Sequence, residues 1–337
     1  MTTSIEYIQI DDGRIAEFVP DAVMYRINTY VALTSMVIVL LNLTLLVTNK
    51  NFAKMYKVLI ALNIMDCIVL MGIFLEAKTR QATFAEITLT RKAKVVSSRD
   101  CIELWTVVQV YADFGMPLIE FVMGIERFTA VMFPSFYRSR FHKTTFKLIL
   151  LVPFFAALAT VIPTTMTILW PESNVRYLCG RKAAFGTIFG VIDYAFNVVM
   201  ISTALILNVT TCIKAMAIQQ SRSSMRKIKC YTGIAVVSTV LVSVPNLFSI
   251  LNATWVPLPD ALMTPAPILA CVNCSLQFFI NLTMNDEYRA RFFRVVTIGK
   301  FKFSGSAAQV TTISSGYKMK VMKTVTIQIS SSRSFVK

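Results

Sequence analysis

Long apolar stretches separated by short polar segments dominate the chain. The first follows Arg26 and reaches Val47. At about 1.5 Å per helical residue it is long enough to cross a ~30 Å hydrocarbon core. Six further stretches of this kind lie at 56–75, 104–126, 146–169, 185–213, 232–255 and 261–284. The pattern predicts an all-α membrane protein, a bundle of seven transmembrane helices, although Asp113 and Glu120 interrupt the third stretch.

The composition supports this prediction. Of the 337 residues, 55% are apolar and only 15% are charged, whereas a soluble chain carries roughly 25% charged residues. Side chains that face lipid are costly to ionise, so the charge deficit is more telling than the apolar excess. We therefore expect one membrane domain over residues 25–284, a polar N-terminal segment over 1–24 and a C-terminal region over 285–337.

The distribution of Lys and Arg predicts that the N-terminus lies outside. Most of the 34 basic residues fall in the loops and the tail that this orientation places in the cytoplasm, as the positive-inside rule requires. The net charge of +16 therefore reflects membrane flanks rather than nucleic-acid binding. One external loop departs from the rule because it is itself basic. Its basic residues are Lys78, Arg80, Arg91, Lys92, Lys94 and Arg99.

The two ends of the chain carry further expectations. Residues 1–24 are acidic and lack the basic flank and cleavage site of a signal peptide, so we expect the first span to be retained. After residue 285, Phe292 and Phe293 among basic neighbours predict a short amphipathic helix in the membrane interface. Beyond it, a Ser/Thr/Lys-rich tail is expected to be disordered and cytoplasmic.

Metal and enzyme chemistry are not indicated. The single His and the seven Cys show no zinc-ligand spacing. The metalloprotease His-Glu-x-x-His motif and the Ser nucleophile motifs are also absent from the sequence. We expect a protein that is not an enzyme and holds no metal centre of this kind.

The most specific motif closes the third stretch: Glu126-Arg127-Phe128, with Pro134 seven residues after Arg127. It resembles the Asp/Glu-Arg-Tyr motif of rhodopsin-like G-protein-coupled receptors, which carry a proline at the same offset. An Arg at a helix end can be restrained by its neighbouring carboxylate and released when helices move. The resemblance implies that these four residues couple the chain to a heterotrimeric G protein. The alternative is that Glu-Arg merely marks the water interface.

Further positions resemble this family. Asn42, Asp66 and Asn281 match its polar core, and the resemblance implies a sodium ion near Asp66. The spacing from Asn42 to Asp66 is a few residues shorter than usual. Pro245 stands where the family kinks its sixth helix, and Phe292 where its juxtamembrane helix carries a Phe.

The resemblance also implies a disulfide between Cys101, which opens span three, and Cys179 in the second external loop. Both would lie on the oxidising side of the membrane. The remaining five cysteines are expected to be apolar filler.

Several family features are missing: the Trp of span four, the Pro of span five and the aromatic motif of span six. Such erosion with Glu-Arg-Phe retained is similar to the divergent serpentine chemoreceptors of nematodes. The resemblance covers about residues 25–295. It implies a multi-pass receptor of the plasma membrane that senses a chemical, peptide or other small molecule and signals by ligand-shifted helix packing.

Four polar residues are candidates for binding such a ligand between the outer halves of the helices. They are Glu76, Gln109, Asp113 and Asp193. Carboxylates near one cavity would favour a cationic or hydrogen-bonding ligand, whereas the basic first external loop could equally steer an acidic one. Each of the four could instead be satisfied by a neighbouring helix.

A second class of function is a transporter or channel. It would use Asp66, Asp113, Glu120 and Asp193 as an ion path. Inverted repeats would support it, but the two halves of the chain show none.

Overall fold

The computed structural model describes residues 7–173, 179–255, 258–259, 262 and 264–296. Within these residues seven helices are long and apolar enough to cross a membrane. In chain order, spans one to seven are Asp12–Val47, Lys57–Thr90, Leu104–Met132, His142–Leu169, Thr187–Ala217, the composite Arg222–Thr254, and Ala266–Met284. The predicted seven-helix bundle is confirmed.

Shorter elements connect and flank the spans. Two strands, β1 (Tyr7–Gln9) and β2 (Lys92–Lys94), pair antiparallel. The short helices are Lys50–Met55, Pro134–Phe136 with the π-helical turn Tyr137–Phe141, Arg181–Phe185, and Asp286–Val296. The last of these is the predicted helix after span seven, hereafter the C-terminal helix. The part of the predicted tail over 297–337 lies outside the described residues.

Span three forms the centre of the bundle. Of its most apolar window, 61% is buried, against 22% for span four. It packs against spans two, four and five, and Glu120 within it is almost fully buried. Span four instead exposes large apolar side chains such as Phe154 and Ile162, as a lipid-facing helix does. The polar interruptions of span three therefore point into the protein.

Spans one and two extend further than their apolar stretches predict. The helix of span one already begins at Asp12, and that of span two continues to Thr90. Lys78 and Arg80 accordingly lie in a helix rather than in a loop. Tertiary packing supports both extensions, because Ile10, Phe18, Phe84, Ile87 and Ala93 form a separate apolar cluster beneath the two strands.

Span six is interrupted where the sequence predicts a kink. The helix Arg222–Ser238 passes into a π-helical turn, Thr239–Ser243, before Val244–Thr254 resumes the α-helix. Pro245 lacks an N–H, and its ring crowds the carbonyl four residues earlier. A π-helical turn just before the proline relieves that conflict.

Candidate functional site

A cavity of about 110 Å³ opens among spans two, three, six and seven. It lies at the end of the bundle that carries the Cys101–Cys179 disulfide, hereafter the disulfide end. Five polar side chains line it: Glu76, Gln109, Asp113, Arg181 and Asn246. Apolar groups of spans two, six and seven complete the wall, among them Val69, Ile73, Val242, Pro245 and Ala270.

Spans two and three meet through a hydrogen bond in this wall. Gln109 Nε2 donates to Glu76 Oε2 over 2.7 Å, and Arg80 Nε lies 3.9 Å from Glu76 Oε1. The close approach of the two helices is possible because residue 72 is glycine. A Cβ at Gly72 would lie 2.8 Å from Gln109 Cγ.

Arg181 joins the two other predicted ligand-binding carboxylates. Its Nη1 forms an ion pair with Asp113 and a second one, over 2.9 Å, with Asp193 Oδ2. Its guanidinium also stands 5.1 Å from the ring centroid of Tyr194. Burial disfavours the charge of Arg181, but the carboxylates, Asp113 foremost, hold the pKa of its side chain above the ordinary value.

The disulfide places Arg181 over the cavity. Cys179, two residues before Arg181, is bonded to Cys101 at the start of span three, and their Cα atoms are 5.0 Å apart. Cys179, and with it Arg181, is therefore held close to the start of span three. The disulfide that the resemblance implied is present.

A second polar cluster lies midway along the bundle, buried between spans two, three, six and seven. Gln277 Nε2 donates to Asp66 Oδ1 over 3.4 Å. The Ser238 hydroxyl donates to Glu120 Oε1 over 2.6 Å and also lies 3.1 Å from Asn273 Oδ1. Asp66 and Glu120 are both almost fully buried in this cluster.

This central cluster contains oxygen atoms that could hold a cation. Among the described residues, Glu120 Oε2 and Gln277 Oε1 are buried without a hydrogen-bond partner. Carboxylate and amide oxygens are hard ligands, the type that alkali and alkaline-earth cations prefer. The donor set around Asp66 therefore fits a sodium ion.

Asn42 and Asn281, the other two predicted polar-core residues, are buried but bond elsewhere. Asn42 Nδ2 donates to Asn63 Oδ1 over 2.7 Å, and Asn42 Oδ1 accepts from the Tyr288 hydroxyl over 2.6 Å. Asn281 Oδ1 accepts from the Cys230 thiol over 3.3 Å. Asn42 thus ties span one to span two and to the C-terminal helix rather than to Asp66.

At the opposite end of the bundle, hereafter the Arg127 end, Arg127 is held only loosely by its neighbouring acid. Its Nη2 lies 4.0 Å from Glu126 Oε2, the limit of an ion pair. Its guanidinium instead stacks on Tyr231 of span six, 4.2 Å from the ring centroid. In the described part of the chain, its buried Nε has no hydrogen-bond partner.

Glu126 has a second partner. The Tyr137 hydroxyl donates to Glu126 Oε1 over 3.0 Å. Burial, together with the negative charge of Glu126, raises the pKa of the Tyr137 phenol to about 12, so the phenol stays a donor at physiological pH. Phe128 packs edge-on against Phe133, and Pro134 begins an exposed helical turn.

A cavity of about 190 Å³ opens beside Arg127. Its charged lining consists of Lys54, Lys57, Glu126 and Arg127, so positive charge predominates there. Ion pairs bridge the same end of the bundle: Arg226 with Asp286, and Lys227 with Glu287 over 3.6 Å. They connect span six to the C-terminal helix.

Comparison with protein families identifies the family of this chain. A family model described as "Serpentine type 7TM GPCR chemoreceptor Srsx" matches residues 30–296, which include all seven spans in whole or in part. The chain belongs to this family. It is thus a chemosensory G-protein-coupled receptor and a multi-pass membrane protein, and the transporter alternative is not favoured. A search of curated proteins finds no match.

Membership of the Srsx family implies, in general terms, a receptor without enzymatic activity that has an extracellular ligand and a G protein as partners. In this receptor Glu76, Gln109 and Asp113 share one cavity, and Asp193 joins them through Arg181.

The sequence interpretation missed several residues that complete these sites. They are Asn63, Arg181, Tyr231, Ser238, Asn273, Gln277 and Tyr288. Only Arg181 carried a usable signal, since it follows Cys179 by two residues and a disulfide there would bring it over the bundle.

Proposed function

We propose that this receptor lies in the plasma membrane with its disulfide end outside, binds a small ligand in the disulfide-end cavity, and activates a heterotrimeric G protein at its Arg127 end. Glu126, Arg127, Phe128 and Pro134 are the proposed coupling residues. The observation that carries the proposal is the state of Arg127, whose nearest acid is 4.0 Å away and whose main contact is the Tyr231 ring.

The contacts of Arg127 suggest how the signal crosses the bundle. Tyr231 belongs to span six, and span six also lines the ligand cavity through Val242 and Pro245. A shift of span six on ligand binding would move the Tyr231 ring away from the guanidinium. The N–H groups of Arg127 could then donate hydrogen bonds to a G-protein group that enters the adjacent cavity. Because positive charge predominates in that cavity, the entering group is expected to be a carboxylate or another acceptor.

The coupling role is tested by Arg127→Ala in cells that express a promiscuous G protein. The wild-type receptor is first screened against a chemical library, and an activating compound is used for both variants. Arg127→Ala is expected to lose the response while keeping surface expression. Arg138→Ala is the matched control, because Arg138 is an exposed arginine of the neighbouring π-helical turn. An intact response in Arg127→Ala would rule out the assigned role.

For the central cluster we propose a sodium site around Asp66, with Glu120 and Gln277 as further oxygen donors. Both carry buried oxygens without a partner among the described residues, and a cation would compensate the negative charge of the two buried carboxylates. A bound ion stabilises the conformation that holds it.

The sodium proposal predicts that NaCl raises the thermal unfolding temperature of the purified receptor above that in choline chloride of equal ionic strength. Asp66→Asn and Glu120→Gln are expected to abolish the difference. Glu86→Gln, at an exposed carboxylate of the same span as Asp66, should retain it. Equal unfolding temperatures for the wild type in the two salts would refute the site.

The proposed orientation has its own test. An epitope tag at the N-terminus should be stained on intact cells, and a tag at the C-terminus only after permeabilisation. The reverse result would invert the assignment of both ends.

A further inference from the structure

The charges around the disulfide-end cavity do not balance. Glu76 is matched by Arg80 and by the Gln109 amide. Among the residues that the structure describes, Arg181 is the one cation that pairs with Asp113 and Asp193, and the same Nη1 atom contacts both carboxylates. Two acids therefore share one cation.

The shortage of positive charge is clearest at Asp193. The side chain of Asp193 is fully buried, and its Oδ1 has no hydrogen-bond partner within the described ranges. Burying a carboxylate without full compensation is costly. Whatever occupies the place between the two carboxylates must therefore be positively charged, because a neutral or anionic occupant would leave both of them without a counter-charge.

The size and the walls of the cavity restrict what such a cation can be. Its volume of about 110 Å³ leaves room for a small molecule only. Aliphatic side chains make up much of the lining, among them Val69, Ile73, Val242 and Ala270, and Asn246 adds an uncharged amide. The space suits one charged group with a short hydrocarbon chain.

The guanidinium of Arg181 is already a cation of this kind, and it lies between Asp113 and Asp193. Its guanidinium comes from the short helix Arg181–Phe185, which the disulfide at Cys179 anchors, and not from one of the seven spans. A side chain on a short connecting helix can leave the two carboxylates without unwinding a membrane helix. It therefore acts as an internal competitor for any cation that enters the cavity.

We propose that the disulfide-end cavity recognises a small organic cation, a protonated amine or a guanidinium with a short aliphatic chain, which binds Asp113 and Asp193 in competition with Arg181. The inference rests on the proposed placement of the ligand in this cavity. It adds the chemical class of the ligand and the role of Arg181.

The test measures thermal unfolding of the purified full-length receptor with n-butylammonium, methylguanidinium, n-butanol and butanoate at matched ionic strength. Both cations are expected to raise the unfolding temperature of the wild type in the range of about 1–10 mM, and butanol and butanoate are not. In Arg181→Ala the competitor is gone, so the half-saturating concentration of each cation should fall by about tenfold or more. Methylguanidinium should also restore much of the stability that this variant loses.

Lys182→Ala is the matched control. Lys182 is the adjacent cation of the same short helix, and it stands over the Tyr194 ring rather than between the two aspartates. It should respond to the probes as the wild type does. The single substitution Asp113→Asn, with Arg181 retained, should reduce the rise in unfolding temperature that both cations cause. This variant tests the site even if Arg181→Ala does not fold.

Two outcomes would overturn the proposal. Stabilisation of the wild type by butanoate, lost in Arg181→Ala, would make Arg181 an anion receptor. An absence of any cation response in both the wild type and Arg181→Ala would remove the cavity as a cation site. Since the assay contains no G protein, Arg127→Ala should bind the cations normally, so a failure of the coupling role remains distinguishable from a failure of this site.

Discussion

Single residues at the helix crossings decide how closely the spans approach one another. At Gly72, an added Cβ would lie 2.8 Å from Gln109 Cγ and 3.5 Å from Gln109 Cα. Cγ is only two bonds from the backbone, and Cα belongs to the backbone itself. A rotamer change of Gln109 therefore cannot remove the clash unless span three also moves. The hydrogen bond from Gln109 to Glu76 depends on this absence of a side chain.

We therefore expect Gly72→Ala to destabilise the receptor by about 1–3 kcal/mol through overpacking and to weaken binding in the disulfide-end cavity. Thermal unfolding with and without n-butylammonium measures both effects. Gly233→Ala is the control, because its Cβ would meet Ile280 and Met284 at an ordinary 3.8 Å. Equal stability of the two variants would contradict the argument.

Tyr288 is another residue whose role depends on one atom. It is 1% exposed, and its hydroxyl donates over 2.6 Å to Asn42 Oδ1. Removing the hydroxyl deprives a buried carbonyl of this donor, which costs about 1–3 kcal/mol.

Tyr288→Phe should accordingly lower the unfolding temperature. Tyr30→Phe, at a lipid-facing tyrosine of span one that is 66% exposed, should leave it within experimental error. If both substitutions lowered stability equally, the Tyr288–Asn42 contact would not be the cause.

At the residue scale, the sequence predicted which carboxylates gather but not what neutralises them. Gln109 and Asp113 are predicted to face the cavity by counting helical turns from Arg127, a method that works for side chains on regular helices. Glu76 is predicted to join them from its position at the outer end of span two. Arg181 begins the short helix Arg181–Phe185 between two spans, and the periodicity of the spans does not determine where that helix lies. Its place follows from a tertiary crosslink, which a single sequence does not specify.

At the scale of whole elements, side-chain charges tie the part of span six at the Arg127 end to the C-terminal helix. Lys227 and Glu287 are 3.6 Å apart, and Arg226 pairs with Asp286. These side chains are between 23% and 55% exposed, so each pair contributes at most about 1 kcal/mol. Ion pairs of this strength can still shift the equilibrium between two positions of span six during signalling.

Glu287→Lys and Lys227→Glu are each expected to raise ligand-independent G-protein activity by a few-fold, since about 1 kcal/mol corresponds to a factor of about five. The double charge reversal should bring activity back towards the wild-type level. Glu172→Lys, an exposed change near the disulfide end, serves as the control in the same assay. A double reversal as active as the single variants would show that the charge pair is not the tie.

The elements themselves were predicted unevenly. Apolar runs located all seven spans, because lipid imposes its demand on every residue of a crossing. The ends of spans one and two were not predicted: residues 12–26 and 76–90 are too polar to show as membrane segments, and they stay helical through packing around Phe18 and Phe84. Pro245 predicted a kink, but the π-helical form of the turn at Thr239–Ser243 depends on neighbouring spans.

For the molecule as a whole, the disulfide determines whether the loop after span four covers the ligand cavity. Cys101 and Cys179 are 78 residues apart in sequence, so their bond closes a large loop of the unfolded chain. Breaking such a bond typically costs about 2–5 kcal/mol. Here it should have a second effect, because Arg181 would lose the anchor that holds it between Asp113 and Asp193.

We expect the double variant Cys101→Ser/Cys179→Ser to unfold at a lower temperature and to bind n-butylammonium more tightly than the wild type does, since a loosened Arg181 competes less well. Cys212→Ala, at a free cysteine away from the disulfide, is the control for both measurements. Adding Arg181→Ala to the double serine variant should increase cation affinity by less than it does in the wild type, because both changes remove the same competitor. Fully additive effects on cation affinity would mean that the disulfide stabilises the fold without positioning Arg181.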